Sequence, residues 1–210
     1  MSLTIALSKG RLADKTVEIL EKCGVSCAVL KKDTRKLILE NKDGIKFVFV
    51  KPVDVPTYVE RGAADIGVVG KDTLLEENKD VYEPIDLNIA KCRMCVAGKK
   101  GANYRNLSRN LIVATKYPVI AKNFYDKMGQ AVDIVKLNGS IELAPLIGLS
   151  DVIVDLVESG KTLQANDLQV LGVICDISAR LIVNKVSLKT KRDVILPLLE
   201  KIKKKVINDR

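Results

Sequence analysis

The sequence predicts a two-lobed α/β protein with mainly parallel sheets and helices on both sheet faces. Three observations carry that prediction. Apolar runs of strand length alternate with helical stretches along the chain, the pattern of βαβ units. They fall into two series of about 90 residues with short connections, which suits two lobes better than one wide sheet. A chain of 210 residues also buries roughly 70% of its unfolded surface, enough for two small cores.

The first strand is the apolar run Leu3–Leu7, followed by the loop Ser8-Lys9-Gly10-Arg11. In the next stretch Leu12, Val17, Ile19 and Leu20 approximate one helical face, and Gly24 supplies a stop. Leu37–Leu39 and Phe47–Val50 bracket the turn Lys42-Asp43-Gly44, which predicts a hairpin. A helix then has Pro52 near its start, Asp54 as candidate cap and Gly62 as its end, before the strand Asp65–Val69 and Gly70.

The middle third repeats the pattern. Strand Arg93–Ala97 and a polar loop to Asn110 precede strand Leu111–Thr115, helix Val119–Met128 and strand Val132–Leu137. Helix Ser140–Ile147 leads to strand Asp151–Val154. The strands Val170–Cys175 and Arg180–Asn184 and the helix Lys191–Ile207 return the chain to the first lobe. The expected lobes are 1–90 plus 177–210, and 91–176, with a cleft between them. No internal sequence repeat is visible.

Hydrophobic residues make up 47% and charged residues 29%, ordinary for a globular protein and far from a disordered composition. No apolar run approaches the ~20 residues of a membrane span, and the N-terminus lacks the order of a secretory signal. A cytoplasmic location is therefore expected. Five cysteines are odd in number and too sparse for a disulfide scaffold. Cys92 and Cys95 have CxxC spacing, but residues three apart on a strand point to opposite faces, and zinc needs four ligands. The chain has no histidine to help complete the set, so no residue is assigned to a metal.

The absence of histidine also argues against triad hydrolases, because imidazole is missing as acid or base. A net charge of +9 points to an anionic partner. Much of the excess lies in Lys201-Ile202-Lys203-Lys204-Lys205, the pattern of a solvated helix face. With aromatics at 4%, a stacking platform for single strands is not indicated. Neither nucleic acid nor a membrane is expected as a partner.

In parallel α/β folds ligands sit beyond the carboxyl ends of strands, which selects the loops Ser8-Lys9-Gly10-Arg11, Lys51-Pro52, Gly67 to Lys71 and Asp155 to Thr162. The last is richest. A strand ending in Asp155 leads to Ser159-Gly160-Lys161-Thr162, which offers amides, hydroxyls and a cation to a phosphate. A P-loop needs glycine where this chain has Asp155. A carboxylate suits ribose hydroxyls, although an ordinary capped helix start reads the same way. Lys9 and Arg11 around Gly10 suit a di- or triphosphate, or are merely solvated. Asp65 also reads as a strand start, Ser140 as a helix cap and Glu142 as a first-turn carboxylate.

Taken together, SKGRL, DVPTYVERGAADIGVVG, CRMCVAG, ATKYP, NGSIELAPLIGLSDVIVDLVESGKTL and QANDL resemble the ATP phosphoribosyltransferases, in that family's order and over nearly the whole chain. The resemblance implies a two-lobed fold of the periplasmic-binding-protein type (type II). It implies the reaction of ATP with phosphoribosyl diphosphate to N1-(5-phosphoribosyl)-ATP and diphosphate, the first step of histidine biosynthesis, with Mg2+ held mainly through the substrate diphosphate.

By the same resemblance Asp151, Asp155, Ser159, Gly160, Lys161 and Thr162 serve the ribose 5-phosphate. Lys9, Gly10, Arg11, Lys51, Asp65, Arg93, Lys116 and Glu142 serve ATP or diphosphate. Arg11, Lys51 and Asp155 are the expected catalytic residues. Lys51 stands where many relatives have arginine, so charge is kept without the planar fork. The chain resembles the short form, without a C-terminal regulatory domain. A homodimer inside a hetero-oligomer with a histidyl-tRNA-synthetase-like regulatory subunit is implied. Two rivals are a solute-binding lobe pair and a salvage phosphoribosyltransferase, against which stand the missing export signal and the other five motifs.

Overall fold

The computed structural model describes residues 2–31, 35–102, 104 and 109–208. Strand β1 (Thr4–Leu7) leads to α1 (Arg11–Lys22), then β2 (Ile38–Glu40) and β3 (Lys46–Phe49). A 3-10 turn at Pro52–Asp54 leads into α2 (Val55–Glu60), followed by β4 (Ile66–Gly70), α3 (Lys71–Glu77) and β5 (Tyr82–Asp86). The middle of the chain forms β6 (Cys92–Lys99), β7 (Leu111–Thr115), α4 (Pro118–Lys127) and β8 (Val132–Lys136). It continues through α5 (Leu143–Leu146), β9 (Val152–Val157), α6 (Lys161–Ala165) and β10 (Leu168–Ile177). Strand β11 (Ala179–Val183), α7 (Lys185–Thr190) and α8 (Arg192–Asn208) complete it.

These elements form two compact units, one of Met1–Ala90 with Ser178–Arg210 and one of Lys91–Ile177. The first carries a six-stranded sheet in the order β2-β3-β1-β4-β11-β5. Strand alternation sends Ile5 and Leu7 to the face covered by α1 and α8, where Leu20, Ile195 and Ile202 meet them. Ala6 points the other way, into a core with Val55, Val59 and Leu74 from α2 and α3. The helix α1 ends where Gly24 takes φ 87°, a left-handed conformation that glycine adopts without strain.

The second unit has the order β10-β6-β9-β7-β8. One face packs Met94, Val113 and Val154 against Ile120 and Tyr125 of α4. The other packs Cys95, Ala114 and Ile153 against Ala144 of α5 and Leu163 of α6.

Several expectations need correction. The sheets are mixed rather than mainly parallel: β1 is parallel to β3 and β4, and β7 to β8 and β9. The remaining pairings, β2–β3, β4–β11, β5–β11, β6–β9 and β6–β10, are antiparallel. Strands β6 and β11 each begin just after the chain passes from one unit to the other. Both are largely buried runs, so pattern alone does not reveal their direction. The stretch Val170–Cys175 belongs to β10 in the second sheet and is no part of the return. Helix forms only over Leu143–Leu146, because Ser140 is left-handed at φ 49° and Gly148 ends the turn at φ 78°. The hairpin of β2 and β3 forms as expected, with Ile38 opposite Val48.

Candidate functional site

In the second unit β7 lies between β8 and β9, all parallel, so their carboxyl ends share one edge. That edge gathers Lys116 after β7, Glu142 before α5, and Ser159, Gly160, Lys161 and Thr162 after β9. Antiparallel β6 adds Arg93, which lies opposite Val157. Gly160 caps α6 with φ 77°, a conformation that L side chains rarely adopt. The Lys161 amide donates to Ser159 Oγ at a long 3.5 Å. The first-turn amides of a helix have no intrahelical acceptor, and Lys161 and Thr162 are exposed. Thr115 fixes this edge: its Oγ1 donates to the Val154 carbonyl at 2.6 Å and accepts the Tyr117 amide at 2.8 Å. Lys116 Nζ stands 6.0 Å from the Tyr117 ring centroid.

Asp155 is not at the strand end. Strand β9 continues to Val157, since Leu156 and Val157 extend the apolar run, and Asp155 pairs with Cys95 across β6. Side chains two apart share a face, so Asp155 lies with Ile153 and Val157 on the α5 and α6 face, two register positions from Arg93. It is half-buried, and its carboxylate accepts the Leu156 amide at 2.8 Å.

In the first unit β1 lies between parallel β3 and β4. Its carboxyl edge carries Lys9, Gly10 and Arg11 after β1 and Lys51 after β3, with the Val50 amide donating to the Leu7 carbonyl at 2.9 Å. Lys9 Nζ is 5.8 Å from the Phe49 ring centroid. Gly10 takes φ 109°, which turns the chain into α1, and exposed Arg11 is the first residue of that helix.

A pocket of about 480 Å³ opens beside this edge. Leu37, Phe49, Pro52 and Tyr58 give it apolar walls, and Lys9, Lys51 and Asp54 give it polar ones. Tyr58, Phe49 and Leu37 were not among the sequence candidates. The available signal was Tyr58 falling within the loop and helix that follow Lys51. Lys71, next along the same edge, is committed to Glu83 at 2.5 Å.

Two candidates lie elsewhere. Asp65 precedes β4, at the amino edge, and is buried at 3% exposure. Its carboxylate accepts from the Thr4 amide at 2.8 Å, Ser187 Oγ at 2.6 Å and Lys191 Nζ at 2.8 Å. Asp151 precedes β9 in the same way. It takes both Arg109 guanidinium nitrogens at 2.8 Å and the Ile112 amide at 2.8 Å. The Arg109 hydrogen bonds hold its carboxyl below the ordinary 3.8. The six residues of β9 put roughly 20 Å between Asp151 and the Ser159 loop. The structure brings neither aspartate to a ligand edge, and both are strand anchors.

The buried thiols of Cys23, Cys27 and Cys95 are poorly suited to nucleophilic chemistry. Burial pushes the Cys23 and Cys95 thiols up, and Cys27 up to about 11, away from the thiolate that reactivity needs. Among the described residues no three carboxylates or thiols converge on a metal position.

A family model described as HisG, ATP phosphoribosyltransferase, matches residues 51–204. The chain is 56% identical over 207 residues to an ATP phosphoribosyltransferase of Ruminiclostridium cellulolyticum, covering 96% of this chain and 95% of that one. Its structure is similar to the ATP phosphoribosyl transferase (HisG:HisZ) complex of Thermotoga maritima, with a TM-score of 0.84, 39% identity, and coverage of 99% and 100%. In fold alone it is similar to the periplasmic VFT2 domain of Bordetella pertussis BvgS, with a TM-score of 0.62, 11% identity, and coverage of 99% and 89%. The fold is thus the two-lobed periplasmic-binding-protein type.

Proposed function

The chain belongs to the ATP phosphoribosyltransferase family, and from that premise we infer that it transfers the 5-phosphoribosyl group from phosphoribosyl diphosphate to N1 of ATP. This is the first step of histidine biosynthesis. The adenine N1 lone pair forms the bond to the anomeric carbon as the bond to diphosphate oxygen breaks, and that electron pair leaves with diphosphate. No strong protein base is needed, which suits a chain without histidine. What remains is alignment and charge stabilisation.

The supporting observation is the edge of the second unit, where an anion loop, Ser159 to Thr162, follows the strand that carries Asp155. Ser159, Gly160, Lys161 and Thr162 take the 5-phosphate, and Asp155 accepts from the ribose hydroxyls. Lys116 and Arg93 add positive charge there, and Glu142 stands at the same edge. Lys9, Gly10, Arg11 and Lys51 take the triphosphate or the departing diphosphate, Lys51 as a point charge.

Asp151 and Asp65 keep these edges in register without touching substrate. Mg2+, when bound, neutralises diphosphate. Among the described residues no three carboxylates converge to hold it, and it would be held mainly through the substrate diphosphate. The likeness to the HisG:HisZ complex of Thermotoga maritima supports a HisZ-like partner in the working assembly; that the partner is regulatory, that this chain is a homodimer within the assembly and that it works in the cytoplasm are our own further proposals.

Incubation with ATP, phosphoribosyl diphosphate, Mg2+ and the regulatory partner should give the ultraviolet signal of N1-substituted adenine; no product overturns the reading. Asp155→Asn should lower kcat/KM for phosphoribosyl diphosphate by about 10- to 100-fold, the range for a hydrogen bond to a charged group. It should leave the Kd for ATP within about twofold. Equal losses for both substrates would refute the role given to Asp155.

A further inference from the structure

We propose that Asp54 reads the 6-amino group of adenine in the pocket of the first unit, and so selects adenine nucleotides over purines that lack this donor. The assignment rests on the reading that the chain uses ATP. Asp54 precedes α2, where the sequence pattern makes it a helix cap. The structure contradicts that role. Its backbone is helical at φ −90° and ψ −20°, and its side chain makes no cap hydrogen bond. A cap requires an extended backbone to turn its oxygen onto the first-turn amides. The carboxylate makes no hydrogen bond or ion pair among the described residues. It is an exposed wall of the pocket.

The surroundings fit a flat base carrying anions. Leu37 is 59% and Tyr58 39% exposed, large apolar surfaces open to the pocket that Phe49 and Pro52 also line. Such walls suit the faces of a purine, while Lys9 and Lys51 supply charge for phosphates. An ionised carboxylate only accepts hydrogen bonds. On the six-membered edge of adenine the donor is the 6-amino group, adjacent to N1; a 6-oxo purine presents an acceptor there and is repelled. Bond formation at N1 spreads positive charge over N1, C6 and N6. A hydrogen bond from N6 to Asp54 therefore strengthens toward the transition state, acting on kcat as well as on binding.

The test compares ATP with purine riboside 5′-triphosphate, which keeps N1 and lacks the amino group. Calorimetry on the wild-type complex should show ATP binding more tightly by on the order of 10- to 100-fold. In turnover with saturating phosphoribosyl diphosphate, Asp54→Ala should erase most of the wild-type preference by lowering kcat/KM for ATP alone. Asp54→Asn, which keeps an acceptor, should lie between. The KM for phosphoribosyl diphosphate should not move. Equal wild-type affinities, or full preference retained in Asp54→Ala, would overturn the assignment. Where Asp54→Ala fails to fold, Asp54→Asn reads the same loss of preference, and full preference retained there overturns the assignment. Absence of any product from ATP would instead bring down the underlying reading, and this one with it.

Discussion

The order β3-β1-β4-β11-β5 in the first unit corresponds, strand for strand, to β8-β7-β9-β6-β10 in the second. The registers agree too: Ile5 faces Ile66 as Val113 faces Val152. The same anchor recurs. The Asp65 amide donates to the Thr4 carbonyl at 2.8 Å and its carboxylate takes back the Thr4 amide; Asp151 and Ile112 repeat both bonds. A cation completes each, Lys191 in one and Arg109 in the other.

The units differ past the strand ends. Strand β4 runs straight into α3, whereas three residues separate β9 from α6. What repeats belongs to the architecture, and what differs belongs to the chemistry.

Removing the anchors costs the first unit most. Asp65→Ala leaves Lys191 and Ser187 without their buried partner, and should cost about 3–5 kcal/mol, read as a fall in the denaturation midpoint. Gly67→Ala probes a difference at matched positions, since Gly67 faces Ala6 where Ile153 faces Ala114. A Cβ at Gly67 would stand 2.8 Å from methyls of both Val55 and Val59. About 1–3 kcal/mol of overpacking is expected, with substrate KM values unchanged in the folded enzyme.

Asp151→Asn should cost only about 1 kcal/mol, because Arg109 is 52% exposed and screened. A carboxyl held low in the folded state stabilises above its unfolded value and loses that contribution as pH falls through the folded one. The gap between wild type and Asp151→Asn should therefore be full at neutral pH and close below the ordinary 3.8. A gap that persists there, or a raised KM for phosphoribosyl diphosphate, would contradict the anchor role.

Most elements were legible in the chain, because strand and helix periods are local. Direction was not: nothing in the apolar run of β6 or β11 says which way it enters a sheet. The sequence also carries a signal for the two anchors. Asp65 and Asp151 precede their apolar runs, which puts them at the amino edge of a parallel strand, whereas ligands gather beyond the carboxyl edge. Asp155 ends its strand by sequence pattern, whereas Leu156 and Val157 carry β9 past it in the structure. Residue type alone makes Asp54 a cap, and only the backbone angles remove it from that role.

The strand β11, between β4 and β5, imposes an order on biosynthesis. Residues 91–177 form an uninterrupted unit that can close as soon as it leaves the ribosome, while the amino-terminal ninety residues must wait for β11, α7 and α8. Until then the edge of β4 lies bare, and the Asp65 carboxylate lacks Ser187 and Lys191. The nascent chain is thus most exposed to mispairing along β4, and a chaperone that shields this strand until the segment from Ser178 onward has emerged would protect the step at which the molecule is most vulnerable.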